Sequence, residues 1–291
     1  MSAVKVQTLP VIALLGGAIV WGLIWYPYRL FQKAEISGEL ASFVTYGIAF
    51  AFGLVFFRLR KLRERKLILL GIGLTAGWTN LAYILATLHG EVMRVLLLFY
   101  LAPLWTVFFS HLILGEVLNS RGALVILLSF AGAIIMLWQP GTMPLPENFA
   151  EWIGLSSGFA FALSNVLARK AQHHDAQTKA LAVFAGVMLL SLPPALAQAP
   201  IIPPLVETPV SILSLLIAVG LVVFGINVVV QYGLAHTTAN RAIVIFLFEL
   251  VVAAIAAYLL AGETMETREW IGGALIVAAS LFSGKLERRQ D

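Results

Sequence analysis

Cysteine is absent from this 291-residue chain, which excludes disulfide staples and thiolate metal sites and leaves the redox compartment unread. Charge is scarce as well. Asp, Glu, Lys and Arg make up 12% of the residues, against roughly 25% in an ordinary soluble domain. No Walker loop, GxSxG elbow or HExxH helix occurs, and the five histidines lack the acidic companions at ligand spacing that a zinc site needs. These absences assign no catalytic residue, no metal and no cofactor, and they exclude primary pumping by an ATP-binding domain. The net charge of +4 does not point to nucleic acid, because the basic residues lie in short clusters between apolar runs rather than on one face.

Hydrophobic residues form 60% of the chain and its mean hydropathy is +0.93, more apolar surface than a soluble fold can hide. A bilayer core needs about 20 mostly apolar residues per helix. Ten such stretches are expected: 10–30, 40–57, 67–88, 95–115, 122–138, 152–169, 180–199, 211–235, 242–262 and 270–284. The first follows a single lysine, Lys5, without a small-residue cleavage site, and reads as a retained helix. The fold class is therefore all-α and integral to a lipid bilayer. The two longest links, QPGTMPLPEN and QAPIIPPLVETP, are rich in proline, which ends helices.

Lys and Arg collect on the cytoplasmic side of membrane proteins. Arg58, Arg60, Lys61, Arg63, Arg65 and Lys66 lie after span 2, Arg169, Lys170 and Lys179 around the link after span 6, and Lys285, Arg288 and Arg289 in the tail. With ten spans and both termini cytoplasmic, only Arg29, Lys33, Arg94 and Arg268 of the 19 basic residues fall outside, together with both proline-rich links. An odd number of spans would put the tail cluster on the wrong side.

Sliding the chain against itself by 147 positions pairs Gly73 with Gly220, Asn80 with Asn227, His89 with His236, Arg94 with Arg241, Phe99 with Phe246, Gly115-Glu116 with Gly262-Glu263 and Arg121 with Arg268. Apolar matches carry little weight, but Asn, His, Arg and Glu are scarce inside membranes. The expectation is two five-helix repeats, over 1–140 and 150–287, and because five is odd they insert in opposite directions. Inverted repeats of this kind place a binding site near the midplane and work by alternating access.

The segment FLFELVVAAIAAYLLAGE, from Phe246 to Glu263, and its counterpart YLAPLWTVFFSHLILGE, from Tyr100 to Glu116, resemble the paired EamA repeats of the drug/metabolite transporter superfamily. The likeness covers essentially the whole chain. Within it, the aromatic-rich stretches WGLIWYPYR and GWTNLAY are similar to the YddG-type exporters of aromatic amino acids. The resemblance implies a bacterial-type inner-membrane exporter. Family members often carry proline after the ninth-helix glutamate, whereas Leu250 follows Glu249 here.

A charged side chain at the bilayer centre costs about 2.5–3.5 kcal/mol on insertion scales, so it faces protein or a wet cavity. Glu249, expected in the middle of span 9, reads as a proton-coupling or ammonium-binding group, or as a carboxyl bonded to a neighbouring helix. Asn80 and Tyr83 share one helix face, as do Asn227 and Gln231, and Asn165 lies on span 6. Their amides can hold a zwitterion or can bond helix to helix. Trp25, Trp78, Tyr83, Tyr100 and Trp105 suit flat apolar or cationic cargo, while Tyr28, Trp138, Trp152 and Trp270, near span ends, suit the interfacial belt. Pro27 and Pro103 interrupt spans 1 and 4 and read as hinges or static kinks.

The expected activity is export of small amphipathic metabolites, amino acids including aromatic ones, through a central pocket lined by spans 1, 3, 4, 6, 8 and 9. Carriage of a nucleotide derivative or quaternary amine, or uptake in place of export, are the alternatives within transport. A membrane-embedded enzyme calls for clustered His or Asp at a membrane face, and a non-transporting subunit leaves the buried Asn, Gln and Glu set unexplained. One chain supplies both repeats, so a monomer suffices.

Overall fold

A computed structural model describes residues 3–57, 66–89, 95, 98–118, 120–138, 146, 148–198, 208–261 and 267–283. Among them there are helices and no strand. In chain order the helices are α1 (Ala3–Lys33), α2 (Gly38–Phe56), α3 (Lys66–His89), α4 (Ala102–Phe109) continued by a π-helical turn (Ser110–Leu114), α5 (Ser120–Leu137), α6 (Phe149–Lys170), α7 (Ala176–Gln198), α8 (Val210–Ala235), α9 (Ala239–Phe246), α10 (Phe248–Ala261) and α11 (Thr267–Ser283). Local chemistry starts several of them. Ser37 and Asn148 sit in extended backbone at the N-caps of α2 and α6 and accept from the amides of Leu40 and Glu151.

Six helical stretches are long and apolar enough to cross a membrane: Thr8–Lys33, Gly38–Phe56, Leu67–Ala86, Ala176–Ala197, Val210–Ala235 and Ala239–Leu260. Three shorter apolar helices accompany them, Ala102–Leu114, Ala123–Ile135 and Trp270–Ala279. The outer surface matches a lipid solvent. Leu67, Leu112, Leu127 and Leu259 project outward, each 62% exposed or more. The basic residues of 58–65, Arg94, the proline-rich stretches 139–145 and 199–207, Glu263 and the basic tail lie outside the described residues.

Two expected spans are not continuous helices. The span over 95–115 turns at Tyr100 and Leu101 before α4 begins, and the span over 242–262 is divided at Leu247 between α9 and α10. At both places one amide reaches three residues back rather than four, Leu104 to the Leu101 carbonyl and Leu250 to the Leu247 carbonyl. Pro103 therefore lies in the first turn of α4 rather than inside a long helix; its missing N–H is an orphan there in any case. At the other break no proline is involved. Helix α1 runs on through Pro27.

The helices pack in matched pairs. α3 lies against α6 and α7, and α8 lies against α1 and α2; α2 meets α7 and α5 meets α11; α4 packs on α6, as α9 and α10 pack on α1. Exchanging each helix for the one 147 positions away leaves this pattern unchanged. Glycines permit the closest crossings. A methyl group on Gly186 would run into the Gly73 carbonyl, one on Gly77 would lie 2.5 Å from the Gly186 carbonyl, and one on Gly158 would meet the Phe99 backbone. Of the belt residues, Trp152 and Trp270 face outward and Trp138 partly so, but Tyr28 turns inward, its hydroxyl 3.2 Å from Ser42 Oγ and 3.3 Å from Thr45 Oγ1.

Candidate functional site

The two helix breaks occur at residues 147 apart, Tyr100 and Leu247, and they meet. Tyr100 and Glu249 are joined by a side-chain hydrogen bond, and Tyr83 lies within electrostatic reach of the same carboxyl. Glu249 is thus in the first turn of α10, not in the middle of a helix as expected. The physical reason is the break itself: the first turn of a helix has unpaired amides and the positive end of its dipole, which favour a carboxyl group. The equivalent position in α4 is Ala102, fully buried, so the centre is acidic on one side only.

Aromatic rings spread from this junction. Phe99 stands edge-on to Tyr83 at 5.5 Å and to Tyr100 at 5.1 Å, and it lies 5.4 Å from Phe161 of α6. Phe161 in turn meets Phe246 at 5.6 Å. One apolar cluster thereby links α3, the residues before α4, α6 and α9, backed by Ala133 of α5 and Ile276 of α11. Close approach of α6 and α1 makes the cluster possible. Gly158 lies against the Phe99 backbone, and a methyl group on Gly22 would come within 2.8 Å of the Glu249 carbonyl.

Polar atoms of four side chains, Asn80 Oδ1, Trp105 Nε1, Asn165 Nδ2 and Gln231 Oε1, are buried and have no hydrogen-bond partner among the described residues. Two acceptors and two donors result. Leaving such an atom unpaired costs about 1–3 kcal/mol, so the set stores unmet hydrogen bonding. Asn165 follows Phe161 by one turn of α6. Lys179 Nζ bonds the carbonyls of Ala168 at 3.3 Å and Gln231 at 3.2 Å, which holds the Asn165 and Gln231 stretches of α6 and α8 side by side.

The remaining nominated residues are more scattered. Asn227 Nδ2 donates to the Val223 carbonyl on its own helix at 3.0 Å. Trp78 is 39% exposed and its indole donates to Ser156 Oγ at 3.1 Å, bridging α3 and α6. Trp25 packs edge-on against Tyr26 and carries the Arg29 guanidinium over its ring at 5.0 Å, close to the end of α1. Trp105 meets Phe159 at 5.2 Å. Phe99, Phe161 and Phe246 were not singled out as site residues, because phenylalanine is common in apolar sequence. The pairing of Phe99 with Phe246 at the repeat offset was the available signal.

The Tyr100–Glu249 junction offers flat aromatic faces, phenolic hydroxyls and one carboxyl group. It can hold a small molecule with an apolar body and a polar or cationic end.

The model of the EamA-like transporter family matches the chain twice, over residues 8–138 and 148–284. An uncharacterized transporter of Archaeoglobus fulgidus is 27% identical over 252 residues, 86% of this chain and 88% of that protein. The uncharacterized transporter YojE of Bacillus subtilis is 27% identical over half of each chain, and an uncharacterized transporter of Pseudomonas aeruginosa is 23% identical over 53% of this chain and 52% of its own. One solved crystal structure superposes with a TM-score of 0.75 at 17% identity, covering 97% of this chain and 98% of that one, a likeness of fold.

Proposed function

Since the chain belongs to the EamA-like transporter family and is a multi-pass membrane protein, we propose that it exports small amphipathic metabolites, amino acids including aromatic ones, by alternating access. In this reading ten spans form two inverted repeats, over 1–140 and 150–287, in a bacterial-type inner membrane with both termini in the cytoplasm. Five helical segments on each side of the 139–147 link among the described residues, counting α9 with α10, the matched helix pairs and the doubled family match support it.

One observation carries the site. The discontinuities at Tyr100–Leu101 and at Leu247 are joined through the Tyr100–Glu249 hydrogen bond. Interrupted helices at the interface of inverted repeats are where such transporters bind cargo, because irregular backbone at membrane depth survives only beside protein or a wet cavity. The aromatic chain from Tyr83 to Phe246 stacks the apolar body. The unpaired atoms of Asn80, Trp105, Asn165 and Gln231 take the polar end, with Glu249 facing a substrate ammonium. Trp25, Trp78 and Asn227 then shape the edges, and Pro27 and Pro103 stand beside the moving segments. The carboxyl and aromatic faces also favour a second cargo, a quaternary amine.

The test is uptake of radiolabelled phenylalanine, threonine and choline into proteoliposomes, comparing wild type with Asn80→Ala, Asn165→Ala and Glu249→Gln. Phenylalanine flux that falls at least several-fold in the amide variants, with melting unchanged, is the expected result. Choline flux alone would transfer the assignment to the quaternary amine, and no flux of any probe in either orientation would refute the amino-acid reading.

A further inference from the structure

The Gly-Glu ending shared by both repeats is not used by the binding site, and at Gly115-Glu116 the structure shows what it does. The π-helical turn after α4 closes on Gly115, whose φ of 70° is left-handed. That conformation costs an L-residue with a side chain more than it costs glycine, and it turns Glu116 back across the seam between α4 and α9. Glu116 Oε1 accepts from the Ala239 amide at 3.2 Å, and Oε2 accepts from Asn240 Nδ2 at 3.3 Å. Ser110 Oγ completes the grip by donating to Asn240 Oδ1 at 3.2 Å.

Ala239 is the first residue of α9, and its amide is one that a helix leaves unpaired. Thr238 stands at the N-cap with the extended backbone (φ −62°, ψ 147°) of a capping threonine, yet its side chain makes no cap bond. The cap comes instead from a carboxylate 123 residues away. An N-cap side chain serves the second or third amide of its helix, so the Ala239 amide, the first, is held by Glu116 and not by Thr238. Beneath the seam Phe109, Ala162, Val166 and Ala239 form a closed apolar cluster.

We propose that Glu116 is a latch: it caps α9 from across the α4–α9 seam while this end of the protein is shut, and gives the Ala239 amide over to water when the seam opens. The inference rests on the alternating-access reading. A latch needs a closing bond that can be replaced at low cost, or the shut state would be a trap. Exchange of the carboxylate for water meets that need, because the Ala239 amide stays satisfied in both states. Asn240 strengthens the shut state through a side-chain donor, and the residue at its repeat offset, Met93, has none.

The chain has no cysteine, so a single introduced thiol reports on one place. Full-length protein in proteoliposomes carrying Ala162→Cys, which is fully buried under the seam, is labelled with a maleimide; Ala41→Cys, buried among other helices, is the control. Glu116→Ala should raise labelling at Ala162→Cys by about tenfold, the effect of losing one charged hydrogen bond from the shut state. Thr238→Ala removes a hydroxyl that holds no cap and should leave it unchanged. The control should not respond to either. Labelling that rises as much in Thr238→Ala, rises equally at the control, or ignores Glu116→Ala overturns the latch. No substrate is involved, so a failed transport assay leaves this result standing, and the reverse holds too.

Discussion

Replacing Gly73 by alanine probes the crossing of helix α3 with α7. A Cβ at Gly73 would lie 2.6 Å from the Ala182 carbonyl oxygen of α7, where ordinary contact begins at 3.4 Å, so the two helices must separate by roughly 0.8 Å. The obstacle is backbone, which cannot rotate away as a side chain does. Overpacking of this kind costs about 1–3 kcal/mol, partly offset by the higher helix propensity of alanine. The midpoint of thermal unfolding should fall by roughly 3–6 °C, at about 2–4 °C for each kcal/mol. The comparison is Gly225→Ala, on α8, where a Cβ meets nothing within 4 Å and should leave stability unchanged or raise it. Tryptophan fluorescence in detergent measures both. A Gly73→Ala protein that melts no lower than Gly225→Ala would refute the reasoning that backbone contact sets this crossing.

Removing the Tyr100 hydroxyl with Tyr100→Phe deprives Glu249 of a hydrogen bond at the helix breaks; flux should fall about tenfold and stability by about 1–3 kcal/mol, read by transport and melting. Gly115→Ala strains the left-handed turn by about 1 kcal/mol and should loosen the Glu116 grip, raising the labelling of Ala162→Cys in the same direction as Glu116→Ala. Lys179→Met keeps the apolar stem but leaves the Ala168 and Gln231 carbonyls without their ammonium, and should destabilise by about 1–3 kcal/mol in a melting assay. A melting point equal to wild type would count against that bridge.

The membrane class and the all-helical fold were legible in the sequence, because apolar runs are a local property. A bilayer selects runs of apolar residues, and a repeat leaves its rarest side chains, Asn, His and Glu, in step. Asn80, Asn165, Gln231 and Trp105 could be nominated on the same ground, since a buried polar group in a membrane segment needs a reason. What tertiary structure alone decided was which of these groups find partners. Asn227 bonds its own helix and Trp78 reaches Ser156 of α6, while Asn80 Oδ1 and Asn165 Nδ2 find none among the described residues. The break at Leu247 was also hidden, because no proline marks it; the helices on either side of it pack against α1 and α11. Likewise Gly-Glu at 115–116 reads as a helix ending, and only the folded chain brings its carboxylate to an amide 123 residues away.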